Sequence, residues 1–297
     1  MTIIIDGNNL LFRASFSVPE YQNSEGLNIA AINQTLKIIR SYAVGYATKK
    51  VITTWDQKID YKEDATSFRQ DLNEAYKQNR TKNNAVYKTT PMIIEMLKYM
   101  GIPSVFPLRM EADDVISWLV TQVEGPITII TGDKDMLQLI NSKVSVFNPY
   151  QKKTYTEENF ETEMGLPVDA FVLYKCIMGD PSDNIKGIEK FGDKKSKKLA
   201  LQLKSFDNIG SLPEDHQAII KQNQKIMDLS LGWTTCPEEA KCYEDQFACI
   251  QSIKTDPVKL KNLATKLEMN KFADNISYWT DPFQNSLNDL VAFWIAK

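Results

Sequence analysis

Histidine is almost missing from this chain: His216 is the only one in 297 residues, and Cys176, Cys236, Cys242 and Cys249 form no Cys-x-x-Cys pair. A zinc site built on imidazole and thiolate is thereby excluded, and the cysteines read as reduced and structural. No apolar run approaches the roughly 20 residues of a membrane-spanning helix. Met1-Thr-Ile-Ile-Ile-Asp6 also lacks the basic start of a secretory signal. These absences predict a cytoplasmic protein with no membrane partner. Internal repeats and low-complexity tails are absent too. So is any excess of positive charge, since 35 Lys and Arg face 38 Asp and Glu, for a net charge of −3. Bulk charge therefore gives no signal for nucleic acid, although that test is blunt where acids are concentrated in one site. What remains, 43% apolar and 25% charged, describes a globular chain with one large or two modest cores.

Carboxylates are what the sequence does supply, and in a pattern. Five segments carry them: Ile-Ile-Ile-Asp6-Gly-Asn, Thr-Thr-Trp-Asp56, Glu111-Ala-Asp113-Asp114, Thr-Gly-Asp133-Lys-Asp135 and Gly-Asp180-Pro-Ser-Asp183-Asn. The first, second and fourth follow apolar, β-branched runs (Thr2–Ile5, Val51–Trp55, Ile127–Thr131) that read as buried parallel strands. Ligands of an open α/β sheet bind beyond the carboxyl ends of its strands, so acids placed there converge. Each has a blander reading as a turn residue, an N-cap or a helix-dipole partner. Ordinary caps, however, would include Ser, Thr and Asn at several of the sites, and every one carries an acid. Carboxylates gathered in one place stay ionised only with cations among them. Hard oxygen donors favour Mg²⁺ or Mn²⁺, and two-metal phosphodiester chemistry follows.

Charge is also uneven elsewhere. Lys186 to Lys198 reads Lys-Gly-Ile-Glu-Lys-Phe-Gly-Asp-Lys-Lys-Ser-Lys-Lys, punctuated by Gly187 and Gly192, with a helix predicted to start near Asp193. Such a turn offers backbone amides to a phosphate while Lys186, Lys194, Lys195, Lys197 and Lys198 add charge; the alternative is a solvated helix face. Phe68, Leu72 and Tyr76 recur every four residues, which predicts a short helix over 67–78 inside a lid or binding insertion at about 60–90. That insertion carries Arg69, Lys77, Arg80 and Lys82; Tyr76 and Tyr87 read as packing aromatics or base-stacking platforms. Helices are expected at 28–47, 92–100, 171–179, 192–203, 215–230, 257–268 and 286–296, and further strands at 101–106 and 144–147. After about Thr156 the strand signals stop, dividing an α/β core (1–156) from a helical region (157–297) with a duplex-binding turn at about 180–203.

Taken in order, Ile-Asp6-Gly-Asn, Phe-Arg69, Tyr76-Lys77-Gln-Asn-Arg80, Glu111-Ala-Asp113-Asp114, Gly-Asp133-Lys-Asp135 and Met-Gly-Asp180-Pro-Ser-Asp183-Asn-Ile-Lys-Gly187-Ile resemble the 5′-nuclease (flap endonuclease) family. The match runs from residue 3 to about 200 and is most similar to stand-alone bacteriophage members, including the phage ribonuclease H type. The resemblance implies a PIN-like core with a helical arch and a helix–turn–helix. It implies cleavage near 5′ ends of flaps, nicks and RNA–DNA hybrids, by a monomer working alongside a single-stranded-DNA-binding or replication protein. One Mg²⁺ (Mn²⁺ substituting) is expected among Asp6, Asp56, Glu111, Asp113 and Asp114, and a second among Asp133, Asp135, Asp180 and Asp183. Lys77 and Arg80 match arch cations that act on the scissile phosphate, and Arg69, Lys82 and Lys175 join the lysine run as nucleic-acid contacts. The family's helix–turn–helix usually carries Gly-Ile-Gly, often with K⁺ at its carbonyls; here Lys190-Phe191-Gly192 keeps only the last glycine. A non-catalytic duplex-binding accessory protein of the same fold is the alternative. A haloacid-dehalogenase phosphatase would need an acid where Asn8 stands, and PIN-type ribonuclease toxins are far shorter.

Overall fold

The structure, a computed structural model, describes residues 1–56, 67–79, 84–250 and 252–283. Arg80, Lys82 and the helix expected at 286–296 lie outside them. The first strand, β1 (Thr2–Asp6), is buried along its whole length, as β-branched residues in the middle of a parallel sheet should be. There follow α1 (Gly7–Ser17), α2 (Ile29–Gly45), β2 (Val51–Thr54), α3 (Phe68–Leu72), α4 (Asn84–Tyr87), α5 (Thr90–Met100), β3 (Ser104–Val105), α6 (Ala112–Gln122), β4 (Ile127–Ile130), β5 (Val144–Asn148) and β6 (Lys153–Tyr155). The sheet order is β3-β2-β1-β4-β5-β6, parallel except for the β5–β6 hairpin. The chain starts in the middle, builds one flank through β2 and β3, then crosses back to place β4 against β1 with Ile5 beside Ile130. That reversal between β1 and β4 is the switch point at which such sheets open a crevice.

The second half is mainly helical, as expected: α7 (Glu157–Met164), α8 (Phe171–Met178), then α9 (Asp193–Leu203), α10 (Glu214–Met227), α11 (Leu229–Thr235), α12 (Pro237–Ile250), α13 (Pro257–Lys266), α14 (Asn270–Ala273) and α15 (Ile276–Thr280). One feature departs from the end of strand signals at Thr156. A two-rung antiparallel hairpin pairs Gly179 with Lys186 and Asp180 with Ile185, too short for periodicity to reveal. The single helix expected over 215–230 breaks at Asp228, whose side chain caps α11 by accepting the Ser230 N–H.

Alternation along β1 splits the core in two. Ile4 faces one apolar cluster with α6, α8, α10 and Tyr243, whereas Ile3 and Ile5 face another with α1, α2 and α5. Residues 257–283 close the second cluster: Leu260, Phe272 and Trp279 are buried in it, the last two rings stacked at 4.2 Å. Both clusters therefore draw on both halves of the chain.

Candidate metal centre

Asp6 ends β1, Asp56 follows β2 and Asp133 follows β4, and all three come out at the same sheet edge. They line one cleft of about 690 Å³ together with Glu111, Asp113, Lys77 and Asn8. Asp6 caps α1: one carboxylate oxygen accepts the Asn9 N–H (3.0 Å) and the other the Thr131 hydroxyl (2.8 Å). Asp56 accepts from the Ala112 N–H (2.8 Å) and from the Asn8 side-chain amide (3.0 Å), and its own N–H donates back to Asn8 Oδ1. Asp133 accepts the Asp135 N–H at 2.8 Å.

These acids are electrostatically unhappy. Burial, with the charges of Asp56 and Asp133, lifts Asp6 to about 7 against the opposing hydrogen bonds. Burial and Asp135 lift Asp133 to about 6. Asp113 is pushed well above the carboxylate range by burial and by the charges of Asp133, Asp6 and Glu111. Asp56 rises too, crowded by protein atoms and by the charge of Glu111, even though its side chain is exposed to solvent. Among the described residues none of the four has a Lys or Arg at ion-pair distance.

The other acids carry built-in cations. Glu111 pairs with Lys77 Nζ (2.6 Å) and Arg69 (3.3 Å) and accepts the Tyr76 hydroxyl (2.9 Å). Burial opposes its charge, but the two cations hold it at about 2. Asp114, fully buried, is gripped through both oxygens by Arg69 at 2.6 and 2.9 Å and lines no part of the cleft. Lys175 sits between Asp135 (2.9 Å) and Asp180 (2.8 Å), and despite partial burial it and Ser182 hold the Asp180 carboxyl below its usual range. Asp183 shares a small inner cavity of about 20 Å³ with Asp133, Asp135 and Lys77. Among the described residues no three acids are already drawn together as a finished metal cage. The all-oxygen donor set and the cleft carboxylates left unpaired among the described residues nevertheless suit a hard divalent cation.

Several sequence expectations change here. Arg69, expected on nucleic acid, is 4% exposed and fixed between Asp114 and the Ile226 carbonyl. Lys175 likewise spends its charge inside the protein. The helix expected over 67–78 stops at Leu72, because Asn73 leaves helical backbone and takes the Ala75 N–H on its side chain. Lys77 adopts a left-handed φ of 55°, held by the Asp183 carbonyl on its N–H and Glu111 on its Nζ. Tyr76 is buried packing rather than a platform. In the lysine run, Lys186, Lys194, Lys195 and Lys198 are exposed, whereas Lys197 is half-buried and paired with Asp193 at 3.1 Å. Gly187 serves close packing: a Cβ there would lie 2.1 Å from the Met178 carbonyl oxygen. Lys190 occupies the left-handed region (φ 65°), a conformation that glycine adopts more readily than lysine. Asn8 and Thr131, which orient Asp56 and Asp6, were missed; for Asn8 the available signal was the pair of amide side chains, Asn8-Asn9, one residue beyond the strand-end Asp6.

The comparisons with known proteins agree with this geometry. Residues 1–165 match the profile of the 5′-3′ exonuclease, N-terminal resolvase-like domain. The 5′-3′ exonuclease of Bacillus subtilis is 31% identical over 244 residues, covering 77% of this chain and 80% of that one. That of Aquifex aeolicus is 30% identical over 282 residues, covering 92% and 94%. In three dimensions the chain is similar to the bacteriophage T5 flap endonuclease solved with DNA and metal ions, with a TM-score of 0.68 and 21% identity over 84% of this chain and 99% of that one. The last likeness shows the fold; the profile and the two exonucleases show more, for they place this chain in the 5′-3′ exonuclease family of phosphodiester hydrolases.

Proposed function

We propose that this 5′ nuclease is divalent-metal-dependent and acts near the 5′ ends of flaps, nicked duplexes and RNA–DNA hybrids. The observation that carries the reading is the set of four cleft acids, Asp6, Asp56, Asp113 and Asp133, whose ionisation is opposed by crowding among protein atoms and by neighbouring carboxylates, and which no basic side chain among the described residues pairs with. The phage flap endonuclease of the same fold, solved with DNA and metal ions, supports it.

Asp6, Asp56, Glu111 and Asp113 would hold one ion, and Asp133, Asp135 and Asp183 with Asp180 a second; Mg²⁺ is the expected metal and Mn²⁺ a substitute. When bound, such ions supply an activated water and charge stabilisation on the scissile phosphate. The chain's own groups do the rest. Asn8 and Thr131 fix the orientation of Asp56 and Asp6 through the hydrogen bonds they donate. Lys77 already stands at the cleft wall, and its ammonium can transfer from Glu111 to a non-bridging phosphate oxygen as charge develops there. Lys186, Lys194, Lys195 and Lys198 give a charged face that grips a duplex through phosphates without reading bases.

A 5′-labelled flap, a nicked duplex and an RNA–DNA hybrid, each incubated with Mg²⁺, Mn²⁺ or EDTA, test this directly. Cleavage near the labelled end with either metal and none in EDTA is expected. Cleavage that persists in EDTA, or none with any divalent ion, overturns the reading.

A further inference from the structure

The acid-bearing helix α6 is entered through an irregular stretch, Phe106 to Met110, whose backbone lies in neither helix nor sheet. Backbone outside helix and sheet has to find its hydrogen-bond partners elsewhere, and although Leu108 and Arg109 lie at the surface, α12 supplies partners for this stretch. Glu239, 3% exposed, accepts the Leu108 N–H (2.9 Å) on one carboxylate oxygen and the Arg109 N–H on the other. Gln246, two turns on, brackets Phe106: its Oε1 accepts the N–H (2.9 Å) and its Nε2 donates to the carbonyl (2.8 Å). Between them, α11 closes on α6 itself. Gly232 lies so near that a Cβ would come within 2.6 Å of Asp114 Oδ1, and the Trp233 indole donates to Ser117 at 3.2 Å.

Next along the chain comes Glu111, then Ala112, whose N–H is held by Asp56, then Asp113. A shift of the 106–110 backbone therefore reaches three cleft acids at once: Glu111 and Asp113 by covalent connection, and Asp56 through its bond to Ala112. A carboxylate suits this position because it accepts two N–H groups simultaneously; an amide offers one acceptor and turns an NH₂ toward the second donor. We propose that Glu239, seconded by Gln246, is a positioning residue of the metal centre: by fixing the Phe106–Met110 backbone it sets where Glu111 and Asp113 enter the cleft, and hence the affinity for divalent cations. This assigns a role to the C-terminal half in building the site, and it rests on the metal reading above.

The test measures cation binding in the absence of substrate. Mn²⁺ is titrated into the full chain and the free ion is followed by electron paramagnetic resonance, well below the melting temperature of every variant. Glu239→Gln should weaken Mn²⁺ binding about tenfold, the scale seen when outer hydrogen-bond partners of metal ligands are removed. Gln246→Ala should weaken it several-fold and stands in if Glu239→Gln fails to fold. Glu268→Gln is the control, since Glu268 also clasps backbone and side chain, at Ser24, and neither residue lines the cleft. It should cost stability and leave Mn²⁺ affinity unchanged. Parent-like affinity in Glu239→Gln and Gln246→Ala overturns the positioning role while leaving the metal reading intact. A parent chain that binds no Mn²⁺ overturns both.

Discussion

Two groups of acids meet at this sheet edge, and they have been treated oppositely. Glu111, Asp114, Asp135 and Asp180 each have a Lys or Arg within ion-pair distance. Asp6, Asp56, Asp113 and Asp133 have none among the described residues and are all pushed upward. The first group is internally compensated, and where Arg69 does the compensating the pair is as much structural as functional. The second group is paired with no basic side chain among the described residues, which is the state expected of ligands that wait for a cation. Conservatively replacing an acid should thus have opposite consequences in the two groups.

The largest effect is expected in the uncompensated group. Asp113→Asn or Asp133→Asn should lower Mg²⁺-dependent single-turnover cleavage by several orders of magnitude. Stability of the metal-free protein should hold or rise, because a disfavoured charge is removed. Asp114→Asn should do the reverse, costing about 3–5 kcal/mol of stability by stranding the buried Arg69 guanidinium. Denaturation curves beside cleavage rates check both, and equal behaviour of the two variants would erase the distinction drawn here.

Lys77 tests the boundary between the groups, since it compensates Glu111 in the structure and is proposed to serve the phosphate. Lys77→Ala should cut the single-turnover rate about a hundredfold, as for one lost electrostatic donor, with DNA affinity within a few-fold. Lys77→Arg should recover only part of the rate. An intact rate with weakened binding would make Lys77 a backbone contact.

A smaller, reversible effect follows from pH. Asp6 at about 7 and Asp133 at about 6 stand above the ordinary 3.8, so the fold favours their protonated forms. Their contribution to stability is complete below the unfolded value and is lost as pH rises through the folded ones. Glu111, about 2 against 4.5, runs the other way: its contribution is present above 4.5 and lost as pH falls through about 2. Between about pH 5 and pH 8 the first pair therefore governs. The metal-free protein should melt at a lower temperature at the higher pH, and Mg²⁺ should raise Tm more there. A Tm that is flat across this window without metal counts against the uncompensated group.

The smallest effect belongs to the lysine run. Replacing Lys194, Lys195 and Lys198 by Ala should reduce the slope of log K against log salt by roughly 0.9 per lost phosphate contact. Lys197→Ala should barely change it, because that ammonium is already engaged by Asp193.

Much of this was legible before folding. The β-branched runs at 2–5, 51–55 and 127–131 announced buried strands, and α2, α5, α8, α9 and α13 fell within a few residues of their predicted spans. Where reading failed, a distant partner had overruled a local pattern. The four-residue spacing of Phe68, Leu72 and Tyr76 argued for a helix, but the Tyr76 hydroxyl and the Lys77 ammonium are both drawn to Glu111, and Asn73 ends the helix first. Arg69 looked like a surface cation because its only sequence context was a polar insertion, whereas its partner Asp114 lies 45 residues away.

By itself the sequence determined the donor chemistry offered at the strand ends: hard carboxylate oxygens with hardly any nitrogen or sulfur, a set that suits a divalent cation better than a zinc or nucleophile site. Only the tertiary structure decided which acids are paired with a Lys or Arg and which, among the described residues, are not. The crossover that sets β4 beside β1 brings Asp133 up to Asp6, and the packing of α10 to α12 on α6 fixes Asp114 on Arg69 and holds the entry to Glu111. Burial and pairing depend on neighbours tens of residues apart, and no local pattern of residues records which of them will meet.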